Sequence, residues 1–142
     1  MTQQKSIIGA VVLFLTGLGI WFIFGDKPES EAVKGNPIVT ISVPELPQVL
    51  LNGKKFFDTM CSSCHGRNAV GAEGFGPPLV HIIYEPNHHS DGSFVLAAKN
   101  GARSHHWPYG DMPPIDGIKD TEIAGIIEYV RFLQRTNGIG VN

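Results

Sequence analysis

Cys61-Ser62-Ser63-Cys64-His65 is the stretch from which the rest of this 142-residue chain is read. Its spacing is C-x-x-C-H. Two thiols three positions apart lie on about one helical turn, so each can add to one vinyl group of the same porphyrin. The adjacent imidazole then lies under the iron and coordinates it through Nε2. The pattern is that of covalent haem attachment, with one haem c bound through Cys61 and Cys64.

The rest of the chain weighs against the other uses of two close cysteines. Cys61 and Cys64 are the only cysteines present. A structural zinc site needs two further ligands at paired spacing, and no second pair exists. A thioredoxin-like site expects a βαβ context, which the pattern lacks. A plain disulfide has no use for His65. The formal charge of −2 gives no footprint for nucleic acid or for a polybasic membrane patch. Gly 17 and Pro 10 imply much loop around a small core, which a large apolar cofactor would fill.

Ile7 to Phe24 is an uncharged apolar run of 18 residues. At 1.5 Å per residue it reaches about 27 Å, close to the thickness of a bilayer's hydrocarbon core. Lys5 and the amino terminus precede it, which favours a cytoplasmic N-terminus over residues 1–6. The run reads as a single retained transmembrane anchor over 7–24. The alternative is a cleaved signal peptide, whose apolar region is usually shorter. Either way the following domain is exported to the periplasmic or outer side, where haem c is attached. Residues 25–47 hold Pro28, Gly35, Pro37, Pro44 and Pro47 and read as an extended tether. Within it, Ile38 to Val43 alternates weakly, the pattern of a short strand.

Residues 48–142 carry the haem domain, which is expected to be mostly α. Val49 to Cys61 predicts a first helix with Phe56, Phe57 and Met60 on its apolar face. Gly53 and Phe57 lie one turn apart, on a face expected to meet the last helix. Gly66 to Gly76 is a glycine-rich loop. The Gly76-Pro77-Pro78-Leu79 that follows offers rigidly placed carbonyls, and Pro77 is the candidate acceptor for the second nitrogen of His65. Leu79 would pack on the porphyrin. The pattern leaves Leu79 to Tyr84 open between a short helix and an extended piece. Asp91 to Asn100 predicts a helix capped by Ser90 or Asp91 and stopped by Gly101. Ala102 to Lys119 reads as a long loop. Thr121 to Arg135 is the clearest helix, capped by Asp120 or Thr121. Its apolar face is built on Ile123, Ile126, Ile127, Val130 and Leu133, with Gly125 as close-contact partner of the first helix. Arg131 and Arg135 suit its dipole.

A second iron ligand is sought among the methionines and histidines. Met1 lies beyond the apolar run, and Met60 precedes the first attachment cysteine too closely to reach the opposite haem face. Met112, in Asp111-Met112-Pro113-Pro114, is held by a rigid backbone and would give His/Met ligation, which favours reduced iron. His81, His88, His89, His105 and His106 are the rivals. His105, His106, Arg103 and Trp107 also suit the surroundings of a haem propionate. A second metal at the histidine pairs is disfavoured, since no carboxylate or cysteine is placed to complete it.

With these residues in view, the chain resembles the class I c-type cytochromes over about Val49 to Gly138. The likeness rests on Cys61 to Gly66, Gly76 to Leu79, Asn100-Gly101, Met112 to Pro114 and Tyr129 to Arg131. It implies a helical domain around one covalent haem c, His65 and Met112 as axial ligands, and the Pro77 carbonyl behind His65. It also implies first and last helices crossing at Gly53, Phe57 and Tyr129. Tyr84-Glu85-Pro86-Asn87-His88-His89 matches no family feature and suggests a partner surface. The expected role is single-electron transfer between redox proteins at the membrane, with no small-molecule substrate at the iron and no catalysis. Two alternatives stand beside it: a haem c subunit of a larger oxidase, reductase or dehydrogenase, and a ligand- or peroxide-reactive haem protein with an open sixth site.

Overall fold

The computed structural model describes residues 34–141. The anchor expected at 7–24 and the first part of the tether lie outside them. No helix among the described residues is long and apolar enough to cross a membrane.

Four α-helices and three short 3-10 turns make up the described chain, joined by loops with two isolated bridges and no strand. A 3-10 turn at Gln48–Leu50 runs into α1, Leu51–Met60. The axis breaks at Cys61, and α2, Ser62–His65, is a single turn. Helix α3 is Asp91–Asn100 and α4 is Asp120–Thr136. The third turn, Ile82–Tyr84, answers the open reading of 79–84.

Helices α1 and α4 form the frame. Phe57, Tyr129, Val130 and Leu133 are wholly buried between them, each contributing roughly 1.5–3 kcal/mol by removal from water. Phe57 and Tyr129 meet with ring centroids 5.6 Å apart and planes tilted by 56°. The helices cross where Gly53 faces Gly125: a Cβ on Gly53 would lie 2.1 Å from the Gly125 carbonyl oxygen. That approach is closed to any side chain.

Tyr129 also ties α4 to the haem-motif loop. Its hydroxyl donates to Asn68 Oδ1 at 2.9 Å, holding Asn68 and Ala69 at positive φ (56° and 61°), a conformation disfavoured for residues with a Cβ. Ala69 O in turn accepts from Leu79 N and Val80 N at 2.9 and 3.1 Å. Burial first, and the nearby Asp58 carboxylate second, push the Tyr129 phenol well above its ordinary range. The unfolded phenol ionises near pH 10 while the folded one keeps its proton, so this group makes stability fall as pH rises past about 10. Tyr129→Phe should cost about 1 kcal/mol at neutral pH and remove that alkaline loss. Urea unfolding of both proteins at about pH 7 and about pH 10.5 checks it.

Arg131 departs from the sequence expectation. It does not lie at a solvated helix end serving the dipole; it is 5% exposed. Nε donates to Asp91 Oδ1 at 2.8 Å, one terminal nitrogen to Tyr84 O and Gln134 Oε1 (both 2.6 Å), the other to His89 O at 2.5 Å. Its guanidinium carbon sits 4.8 Å from the Phe94 ring centre. Gln134 adds bonds to Leu79 O and Tyr84 O at 2.7 and 3.0 Å. The loop 79–90, irregular in sequence, is thus fixed by two side chains of α4. Arg131→Leu strands several buried acceptors and should cost about 3 kcal/mol or more. Arg131→Lys should rescue little of it, because an ammonium cannot reproduce the planar fork. Thermal unfolding of the two variants reads both effects.

Two further expectations change. The described part of the tether is not free: Ile41 and Leu46 pack against the core, and Ile38 N and Val39 N both donate to Val70 O at 3.2 Å. Ser42 and Asn137 exchange bonds in both directions, at 2.8 and 2.9 Å. The expected strand at 38–43 joins no ladder and does not form. At α4 the capping residue is Lys119, one or two positions before the expected Asp120 or Thr121. Glu122 reaches back to its backbone N–H at 2.9 Å.

Candidate haem site

The helix break at Cys61 builds the site. Cys61 N–H still donates to Phe57 O at 2.9 Å, and Cys61 O accepts from Cys64 N at 3.2 Å and His65 N at 2.9 Å. One turn therefore presents Cys61, Cys64 and His65 together. Both thiols are free; Cys61 is half-buried and Cys64 exposed. Burial, with the neighbouring Cys64 second, pushes the Cys61 thiol up to about 12, so it stays protonated at neutral pH.

His65 is buried, and its Nδ1 lies 2.9 Å from Pro77 O. A carbonyl only accepts, so Nδ1 carries the proton and Nε2 keeps its lone pair. Burial lowers the His65 pKa, and the Pro77 bond only partly opposes this. The ring is a neutral, oriented donor.

These residues open onto a crevice of about 910 Å3. Cys61, Cys64, His65, Pro77, Leu79, Arg103, Trp107 and Met112 all line it, while His81 does not. Ile123, Ile126 and Ile127 of α4 and Phe94, Ala97 and Ala98 of α3 supply apolar walls. Met112 is placed by an antiparallel bridge: Ala102 N donates to Met112 O at 3.0 Å and Met112 N to Ala102 O at 2.8 Å. Gly101, at φ +76°, permits this, because a Cβ there would meet Met112 O at 2.5 Å.

The rival histidines fall into two groups. His81 Nδ1 accepts from Ile83 N at 3.3 Å, capping the 3-10 turn. His88, His89, His105 and His106 also line the crevice, and their rings pack against one another. Sequence reasoning missed Tyr84 and Phe94 as wall residues, and only their place beside the Arg131 network brings them in.

A porphyrin suits these walls. They are largely apolar, a neutral imidazole with an open Nε2 and a thioether both reach them, and two free thiols stand at one edge. The indole Nε1 of Trp107 is buried in the crevice wall, close enough to the Tyr84 hydroxyl to favour its ionised form against the larger, opposing effect of burial.

Helices packed around a crevice that carries C-x-x-C-H define a haem-binding electron-transfer domain. The cytochrome c family matches residues 50–134, and the chain belongs to it. Haem c is accordingly its covalently bound cofactor. It is also similar to the cytochrome c subunit of the cytochrome bc1 complex of Mycobacterium leprae, Mycobacterium bovis and Mycobacterium tuberculosis, 39% identical over 46 residues in each case. The matched segment is 32% of this chain and only 16% of each relative.

Proposed function

We propose that this is a class I cytochrome c that carries single electrons at the outer face of the membrane, held there by the anchor at 7–24. Cys61 and Cys64 hold the haem through thioether bonds, and His65 Nε2 and Met112 Sδ are the axial ligands. Haem c supplies a one-electron couple. His65 is kept in one tautomer by Pro77 and presents a single nitrogen. Leu79 and the isoleucines of α4 keep water from the ring faces, and a low-dielectric pocket with a thioether favours the reduced, less charged state. Trp107 and Arg103 receive the haem carboxylates. Cys64 and Ser63 are exposed, so the edge beside them is the exit for the electron. With both axial positions filled, no substrate reaches the iron.

The carrying observation is the 2.9 Å contact from buried His65 to Pro77 O, which leaves Nε2 as the one free nitrogen of the ring. Cys61→Ala/Cys64→Ala, produced with haem c maturation factors, should lose covalently bound haem. The unmodified protein should give a low-spin spectrum and a high potential on redox titration. Haem that still resists acid–organic extraction from the double variant would refute the attachment.

Similarity to a bc1-complex subunit favours a second reading, a haem subunit fixed in a larger membrane oxidoreductase. Gentle detergent extraction followed by sizing separates the two: a stable co-purifying partner supports the subunit, a lone chain the carrier.

A further inference from the structure

We propose that His88, His89 and His106 form a site for one transition-metal dication, Zn2+ or Cu2+, at the mouth of the haem crevice. One ligand nitrogen from each lies within 4.8 Å of the other two. An equilateral triangle of that side has its centre about 2.8 Å from each corner, so rotamer shifts of about 0.7 Å reach a Zn–N bond. The two histidine pairs, each incomplete along the chain, complete one another in space.

The imidazoles are already set in a metal-binding tautomer. His88 Nδ1 and His89 Nδ1 lie 2.8 and 2.6 Å from the same acceptor, Ile83 O. Both nitrogens must donate, which leaves a lone pair on each Nε2, the tautomer in which a backbone carbonyl orients a metal-bound histidine. The backbone beneath is rigid, since the buried Arg131 guanidinium binds His89 O. His88 and His106 are exposed and His89 half-buried, so an ion has access. His105, its ring centre 4.2 Å from that of His106 and its Nδ1 bonded to Arg103 O at 2.7 Å, stands outside the three-histidine group, so water fills the fourth position. Three neutral imidazoles without a carboxylate suit Zn2+ or Cu2+ rather than Mg2+ or Ca2+. The ion would join loop 85–90 to the loop 102–119, fastening the segment that carries the proposed sixth ligand.

The test uses the full-length, haem-loaded, tag-free protein in detergent. Calorimetric titration with Zn2+ should give one ion per chain. His88→Ala/His106→Ala should weaken it by about a hundredfold or more, and Glu73→Ala, an exposed change outside the cluster, should leave it unchanged. The haem spectrum of each variant checks that it folds. Cu2+ added to the ferric, reductant-free, unmodified protein should show an electron paramagnetic resonance signal split by at least three nitrogens, a readout that does not depend on any variant. No saturable Zn2+ uptake up to on the order of 100 µM overturns the site, and the imidazoles then serve the haem carboxylates alone. Unchanged affinity in the double variant, or a Cu2+ signal with fewer than three nitrogens, overturns it as well. Since these readouts follow a second metal, they fail or succeed independently of the His65–Met112 assignment.

Discussion

Met112→Ala is expected to turn a closed iron into an open one. In the proposed centre the Met112 thioether is the sixth ligand, and it comes from a segment the rest of the fold has already placed. The Ala102–Met112 bridge fixes its backbone, Gly101 lets that bridge close, and Ile115 N donates to Ala98 O at 2.9 Å just beyond it. Truncation removes the sulfur and leaves this backbone intact, so the fold should survive. The ferrous variant should bind carbon monoxide readily. Axial ligation tunes haem potentials over about 0.8 V, so losing the thioether should lower the potential by on the order of 100 mV. His88, His89, His105 and His106 line the same crevice. If one of them were the true ligand, Met112→Ala would leave the spectrum and the potential unchanged.

Gly53→Ala should be the most damaging single-methyl change in the scaffold. Its added Cβ falls 2.1 Å from Gly125 O and 2.7 Å from Gly125 C, and both are backbone atoms of α4 that no rotamer can move aside. The helices must separate along the seam that buries Phe57 and Tyr129. Overpacking of this kind costs about 1–3 kcal/mol even where side chains can adjust, so a backbone clash belongs at the top of that range or above it. It outweighs the gain of about 1 kcal/mol from replacing glycine in a helix. Gly125→Ala, by contrast, puts its Cβ 3.3 Å from Gly53 Cα, a contact a small shift relieves. The expected order is a large loss of stability for Gly53→Ala and near neutrality for Gly125→Ala. Chemical unfolding of both variants measures it, and equal losses would contradict the crossing geometry.

Local chemistry made much of this molecule readable in advance. C-x-x-C-H announces its cofactor because the thiols and the imidazole must share one turn. Ile123 to Leu133 announces α4 because its apolar residues recur at the helical period. Gly101 marks the end of α3 because the chain there needs positive φ. Long-range polar pairing was not readable. Arg131 looks like any cation near a helix end until its partners at Tyr84, His89 and Asp91 are seen to come from distant positions. The extended stretch before α1 carries prolines that suggest a tether, yet reciprocal bonding between Ser42 and Asn137 docks it on the domain. His88-His89 and His105-His106 each lack a third ligand as sequence pairs, and the fold alone brings them together. Spacing reports what lies on one turn or one face; it is silent about side chains that meet across the fold.

Exposure of the ferrous, full-length protein to carbon monoxide at neutral pH tests the closed His65–Met112 centre most directly. The account predicts no spectral change at ligand concentrations that saturate the Met112→Ala variant. Stoichiometric carbon monoxide binding to the unmodified protein would contradict it, and would place the chain among haem proteins that react with small ligands.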